Sequence, residues 1–138
     1  MLTGGAVNWK SQTQPIIALS TAEAEYVALC EATKEALYLR KIIDEILQAK
    51  APKQTVIFEE NTAAEAWTRN ETDHNKSRHI EVRYHMIRDH VKKGNIKVEM
   101  CPTAEMIADI MTKGTLSPDL HRRTTLRMMG YASHMSLE

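Results

Sequence analysis

Acidic residues are missing from the start of this chain: positions 1–19 hold no Asp or Glu, and the first carboxylate is Glu23. Any acidic cluster must be assembled from residues further on. Net charge is missing as well. The 138 residues carry 18 Lys and Arg against 18 Asp and Glu, so no global basic field marks a general nucleic-acid binder, and any hold on phosphates must come from local clusters. No apolar run approaches the roughly 18 residues a membrane span needs, and no charged-then-apolar leader opens the sequence. Cysteine is scarce: Cys30 and Cys101 each sit in an apolar run and read as buried thiols of a reducing compartment, cytoplasmic or nuclear. Six histidines invite a zinc reading, but there is no His-Glu-x-x-His pattern and no paired cysteine spacing. Internal repeats and low-complexity tracts are absent.

What is present reads as one α/β domain over residues 4–130 with a tail at 131–138, whose final Leu137-Glu138 resembles a cloning scar. A domain of this length buries roughly two-thirds of the surface its unfolded chain exposes. Residues 6–19 read as a strand, confined to an edge by Pro15. Ser20 and Glu23 make a capping box, and a helix follows to about Gln48 with Tyr26, Leu29, Cys30, Leu37 and Ile43 on one face. Thr55–Phe58 is a short apolar run of the kind buried in a sheet with helices on both faces. Thr62 and Glu65 cap a second helix to about Arg69, and Asn70–Arg78 forms a loop. Ile80, Tyr84, Ile87 and Val91 space a third helix that Gly94 ends. Ile96, Val98 and Met100 alternate with polar residues as a half-buried strand. A short helix from Thr103 ends at Gly114, and Ser117-Pro118 opens a last one.

Carboxylates stand at three element ends. Glu25 lies on the core-facing side of the first helix, where a charge is costly unless paired or bound to a cation. Glu59 and Glu60 follow a buried strand, where ligand sites of α/β sheets collect. Asp109 sits in the first turns of a short helix, a position the helix dipole favours in any case. Singly, each is at home as a solvated or capping acid; together they point to a divalent-metal site. The basic residues Lys76, Arg78, Arg83, Arg88, Lys92 and Lys93 read mainly as solvated faces, with some available to phosphates.

Five stretches then carry a resemblance: Trp9-Lys-Ser-Gln12; Ile17-Ala-Leu-Ser-Thr-Ala-Glu-Ala-Glu-Tyr-Val-Ala-Leu29; Lys34-Glu-Ala-Leu-Tyr-Leu-Arg40; Ser77-Arg-His-Ile-Glu-Val-Arg-Tyr-His-Met-Ile-Arg88; and Cys101-Pro-Thr with Ile107-Ala-Asp-Ile-Met-Thr-Lys113. In this order they resemble the RNase H domain of copia-type retrotransposon Pol polyproteins. The resemblance implies an RNase H-like mixed sheet flanked by helices, and hydrolysis of the RNA strand of RNA–DNA hybrids by two ions, Mg²⁺ or Mn²⁺, held by four carboxylates. It places Glu25, Glu60 and Asp109 in the catalytic, metal-binding set, and Asn61, Arg78, His79 and Arg83 among nucleic-acid contacts.

The departures bear on activity. The family's first carboxylate, an Asp on the opening strand, has no counterpart here; that strand would lie before Met1. Glu60 stands where the family has Asp, and Gly114 replaces a usual proline. Two-metal hydrolysis needs both ions clamped about 4 Å apart, and an added methylene moves the carboxylate oxygens by about 1 Å, enough to cost ~10²-fold. The expectation is an impaired or inactive nuclease acting as a binding module, the alternative an active RNase H whose missing Asp comes from another segment or subunit. Without the opening strand, the Thr55–Phe58 edge calls for a partner: a second copy or a strand-supplying protein.

Overall fold

The structure, a computed structural model, describes residues 4–46, 48, 53–69, 78–114 and 116–131, with the backbone alone at 78–81. They form two compact units, one of Gln14–Pro102 and one of Met1–Thr13 with Thr103–Glu138.

In the larger unit, helix α1 (Thr21–Glu45) begins as the capping box requires: Ser20 Oγ accepts from Glu23 N at 3.1 Å, and Glu23 Oε2 accepts from Leu19 N at 2.8 Å. The reciprocal bond lands one residue upstream of the usual N-cap amide. Tyr26, Leu29, Cys30 and Thr33 recur at helical spacing and are buried. Beyond Thr33 the stripe leaves the core, and the helix ends at Glu45 rather than near Gln48. Its far half is tied down by Arg40, which donates to Thr55 Oγ1 (3.2 Å) and Lys53 O (3.4 Å).

Strand β1 (Thr55–Glu59) pairs in parallel with β2 (Ile96–Met100), in register Thr55↔Ile96 to Glu59↔Met100. A parallel pair needs a crossover, which runs through α2 (Thr62–Trp67) and α3 (Arg78–Lys92). Gly94, at φ 69°, turns the chain after α3 as a C-terminal glycine should. The inward face of the sheet brings Ile57, Ile96 and Val98 against Tyr26, Leu29 and Cys30 of α1, Ala64 of α2, and Tyr84 and Ile87 of α3. Among the described residues no helix is long and apolar enough to cross a membrane.

In the smaller unit two 3₁₀ turns, Thr103–Glu105 and Ile107–Met111, replace the single short helix expected from Thr103. Helix α4 (Pro118–Met128) starts as its sequence requires, with Ser117 Oγ accepting from Leu120 N at 3.3 Å. Ala6 N donates to Met128 O at 2.8 Å, and Ser11 Oγ donates to Met111 O at 3.2 Å, fastening the first residues to this unit.

Two expectations are corrected. Residues 6–19 form no strand: Pro15 removes a donor, the described sheet has two strands and neither is theirs, and Ile17 and Leu19 are 88% and 89% exposed. Nor is β1 buried on both faces, because Val56 and Phe58 are 42% and 56% exposed on the face away from the helices. The loop expected at Asn70–Arg78 lies, through Ser77, outside the described residues.

Thr55 N donates to Asn95 O, and Cys101 N donates to Glu59 O. The odd-numbered residues of β1 therefore turn their peptide groups toward β2, and Val56 and Phe58 turn theirs to the edge that carries no further strand among the described residues, the arrangement that invites intermolecular pairing. Self-association is the expected outcome. Size exclusion with light scattering should show a dimer or larger species that Phe58→Lys shifts toward monomer. A wild-type monomer at every concentration would mean that this edge recruits nothing.

Candidate acidic site

The carboxyl end of β1 is where the larger unit gathers negative charge. The alternation that exposes Val56 and Phe58 turns Glu59 inward with Thr55 and Ile57, leaving it 5% exposed. Its Oε1 accepts from Asn61 N at 2.9 Å. Burial pushes the Glu59 carboxyl above its ordinary value; the Asn61 N–H opposes this, and the charges of Glu25 and Glu60 add to the rise. Glu25, on the first turns of α1, is half-buried, as is Glu60. Glu25, Glu59 and Glu60 thus form one electrostatic group. Among the described residues no three His, Cys, Asp or Glu side chains close into a ready-made metal cage.

Asn61 follows directly and is the N-cap of α2, its Oδ1 accepting from Ala63 N (3.0 Å) and Ala64 N (3.1 Å). That corrects the reading of Thr62 as cap. The Asn61 side-chain oxygen, expected at nucleic acid, is engaged within the chain.

Aromatic rings stand behind this acidic loop. Tyr26, next to Glu25, stacks on Tyr84 with ring centroids 4.1 Å apart, and Trp67 packs against both at 6.0 and 5.7 Å. Burial raises both phenols far above their ordinary value. Arg83 of α3 lies near enough to the buried Cys30 of α1 for its charge to act on the thiol. Burial likewise raises the Cys30 thiol, against the opposing charges of Lys34 and Arg83. Arg78 and His79 open α3, with side chains outside the described residues.

Asp109 belongs to the smaller unit. There its Oδ2 accepts from Lys113 Nζ at 2.6 Å, so its charge is already countered within its own turn.

Glu59 was visible in sequence only as half of a Glu-Glu pair. Strand register is the signal that separates the two, since it turns one inward and leaves the other at the strand's exit. A pH dependence follows. Glu59 has a folded pKa above its unfolded one, so stability is fully present below the unfolded value and is lost as pH rises through the folded value. Glu59→Gln keeps an oxygen for the Asn61 N–H and cannot ionise. In EDTA it should melt higher than wild type near neutral pH, with the gap closing below the ordinary value of 4.5. Parallel melting curves at every pH would show that Glu59 carries no such penalty.

No family profile matches the chain, and no solved structure does. Over 111 residues, 80% of the chain and 8% of the relative, it is 38% identical to the retrovirus-related Pol polyprotein from transposon TNT 1-94 of Nicotiana tabacum. Over 107 residues, 78% of the chain and 7% of the relative, it is 29% identical to the retrovirus-related Pol polyprotein from transposon RE1 of Arabidopsis thaliana. A stretch of 38 residues, 28% of the chain and 27% of the relative, is 55% identical to secreted RxLR effector protein 161 of Plasmopara viticola. The chain thus spans only 8% and 7% of the two polyproteins. Across about four-fifths of its length it is homologous to part of the retrovirus-related Pol polyproteins of plant transposons.

Proposed function

We propose that the chain is a retrotransposon-derived RNase H-like domain that binds RNA–DNA hybrid without robust cleavage, because among the described residues Glu25, Glu59 and Glu60 close into no complete metal cage. What supports this reading is the homology to Pol polyproteins of plant transposons together with the buried Glu59 at the carboxyl end of β1, the end at which α/β sheets collect ligands. Hard oxygen donors suit a hard divalent cation, and a cation would relieve the repulsion that now opposes ionisation of Glu59. When bound it would polarise a phosphoryl oxygen and activate water.

The chain's own residues supply the rest. Glu25 and Glu60 would face a bound cation beside Glu59, which the Asn61 N–H tethers. Glu60 carries one methylene more than the Asp of the family, and a displacement of about 1 Å is enough to cost ~10²-fold in rate. Three carboxylates also clamp one ion more readily than two. Asp109 enters through the resemblance alone, and Asp109→Asn tests it separately. Phosphate contacts would come from exposed basic side chains, and binding through them should weaken as salt rises.

The unpaired edge of β1 favours one variant of this reading, in which another segment or subunit adds a strand there and with it a fourth carboxylate. A labelled hybrid incubated with the pure chain in Mn²⁺ decides between them. Salt-sensitive binding without RNA-strand cleavage is expected. Cleavage that disappears in Glu25→Gln would sink the binding-only reading in favour of the completed site, and absence of any binding would remove both.

A further inference from the structure

Strands β1 and β2 differ in what they show on the face away from the helices. There β2 carries Lys97 and Glu99, ion-paired at 2.5 Å and level with Val56 and Phe58 of β1. Charged side chains ordinarily blunt an edge strand against further pairing. Strand β1 presents the exposed Val56 and Phe58 instead, and its outer edge carries no further strand among the described residues.

Charge is also distributed unevenly along β1. Cations gather at its amino end, where Lys53 is exposed. Arg40 reaches there from α1, donating to Thr55 Oγ1 at 3.2 Å and to Lys53 O at 3.4 Å. The carboxyl end carries Glu59 and Glu60, with Glu25 near enough to act on Glu59. The strand is positive where it starts and negative where it ends. A second copy laid alongside in parallel would set like charge against like. Laid antiparallel, the cationic end of each copy meets the acidic end of the other.

Hydrogen-bond parity selects the register. Residues that exchange bonds in an antiparallel pair must both turn their peptide groups toward the other strand. On this edge those residues are Val56 and Phe58, so Val56 of each copy lies opposite the partner's Phe58. Ile57 then falls on the two-fold axis, and Thr55 comes opposite the partner's Glu59. A β-branched side chain opposite an aromatic one is itself a favourable cross-strand pair. Self-complementary two-fold contacts are the commonest kind in homo-oligomers.

We infer that the open edge of β1 is a homodimer interface: two copies pair antiparallel through Val56 and Phe58, with Arg40 and Lys53 of each beside Glu59 and Glu60 of the other. The inference does not depend on the RNase H-like reading. Such a partner brings cations to the acidic end, not a fourth carboxylate.

Sedimentation equilibrium of the full chain measures the dimer Kd. Lys53→Glu and Glu60→Lys each turn attraction into repulsion at both ends of the pair, and each alone should raise the Kd by about tenfold. Mixed in equal amounts, the two variants should form a heterodimer with the wild-type Kd, since every end again meets its opposite. Should a variant fail to fold, salt decides. The wild-type Kd should rise with ionic strength, because screening weakens attraction between unlike charges, whereas parallel or purely apolar association would hold or tighten. The inference is overturned by a wild-type chain that stays monomeric, by single variants that associate as wild type does, by a mixture of folded variants that stays dissociated, or by a Kd that does not rise with salt.

Discussion

The stack of Tyr26 on Tyr84 is the contact on which the larger unit depends. It joins α1 to α3, and Trp67 closes the group by bringing in α2, so three helices meet at three rings. Such pairs contribute about 0.5–1.5 kcal/mol each beyond the area they bury. Their geometric effect is larger. A two-stranded parallel sheet is a poor scaffold alone, and the rings supply the second surface that lets Ile57, Ile96 and Val98 bury one face of it. Glu25 precedes Tyr26 in sequence, so the residue that sets the core also sets one wall of the acidic site.

The acidic loop works against the fold that carries it. Glu59 is buried beside two further carboxylates and held above its ordinary pKa, chiefly by burial. A sequence selected for stability alone would place an apolar side chain there, continuing the inward row of Thr55 and Ile57. Local rules are broken most readily where a ligand offsets the cost. Under the proposed function that ligand would be the phosphate-bound cation of a nucleic acid, whose binding energy would return as stability of the folded chain. The exposed Val56–Phe58 face is a second departure of this kind, since parallel strands are ordinarily covered on both sides.

Local chemistry was the legible part of the sequence. The Ser20–Glu23 and Ser117–Pro118 starts, the Gly94 stop and the alternation of β2 all follow from short-range hydrogen bonding and side-chain period. What escaped depends on distant partners. Residues 6–19 have strand-like composition, but a strand exists only where a ladder forms, and they pair with neither β1 nor β2. The run Thr55–Phe58 is apolar throughout, which says nothing about whether a second layer covers it. The α2 cap was misplaced by one residue because Asn61 and Thr62 are both capable of capping. Of the acidic residues, Glu25 and Glu60 both act on the charge of Glu59, whose inward turn only strand register reveals, and Asp109 pairs with Lys113 in the smaller unit.

The central claim is that Glu59 is a buried carboxyl whose ionisation is opposed by its burial and by the charges of Glu25 and Glu60. Carbon-13 NMR of the glutamate carboxyl carbons across the acidic pH range, in EDTA, tests it directly. The Glu59 resonance should titrate above the ordinary glutamate value of 4.5 and move back toward it in Glu25→Gln, since one opposing charge is gone. A Glu59 carboxyl that titrates at the ordinary value, and is indifferent to the loss of Glu25, would contradict the account at its foundation.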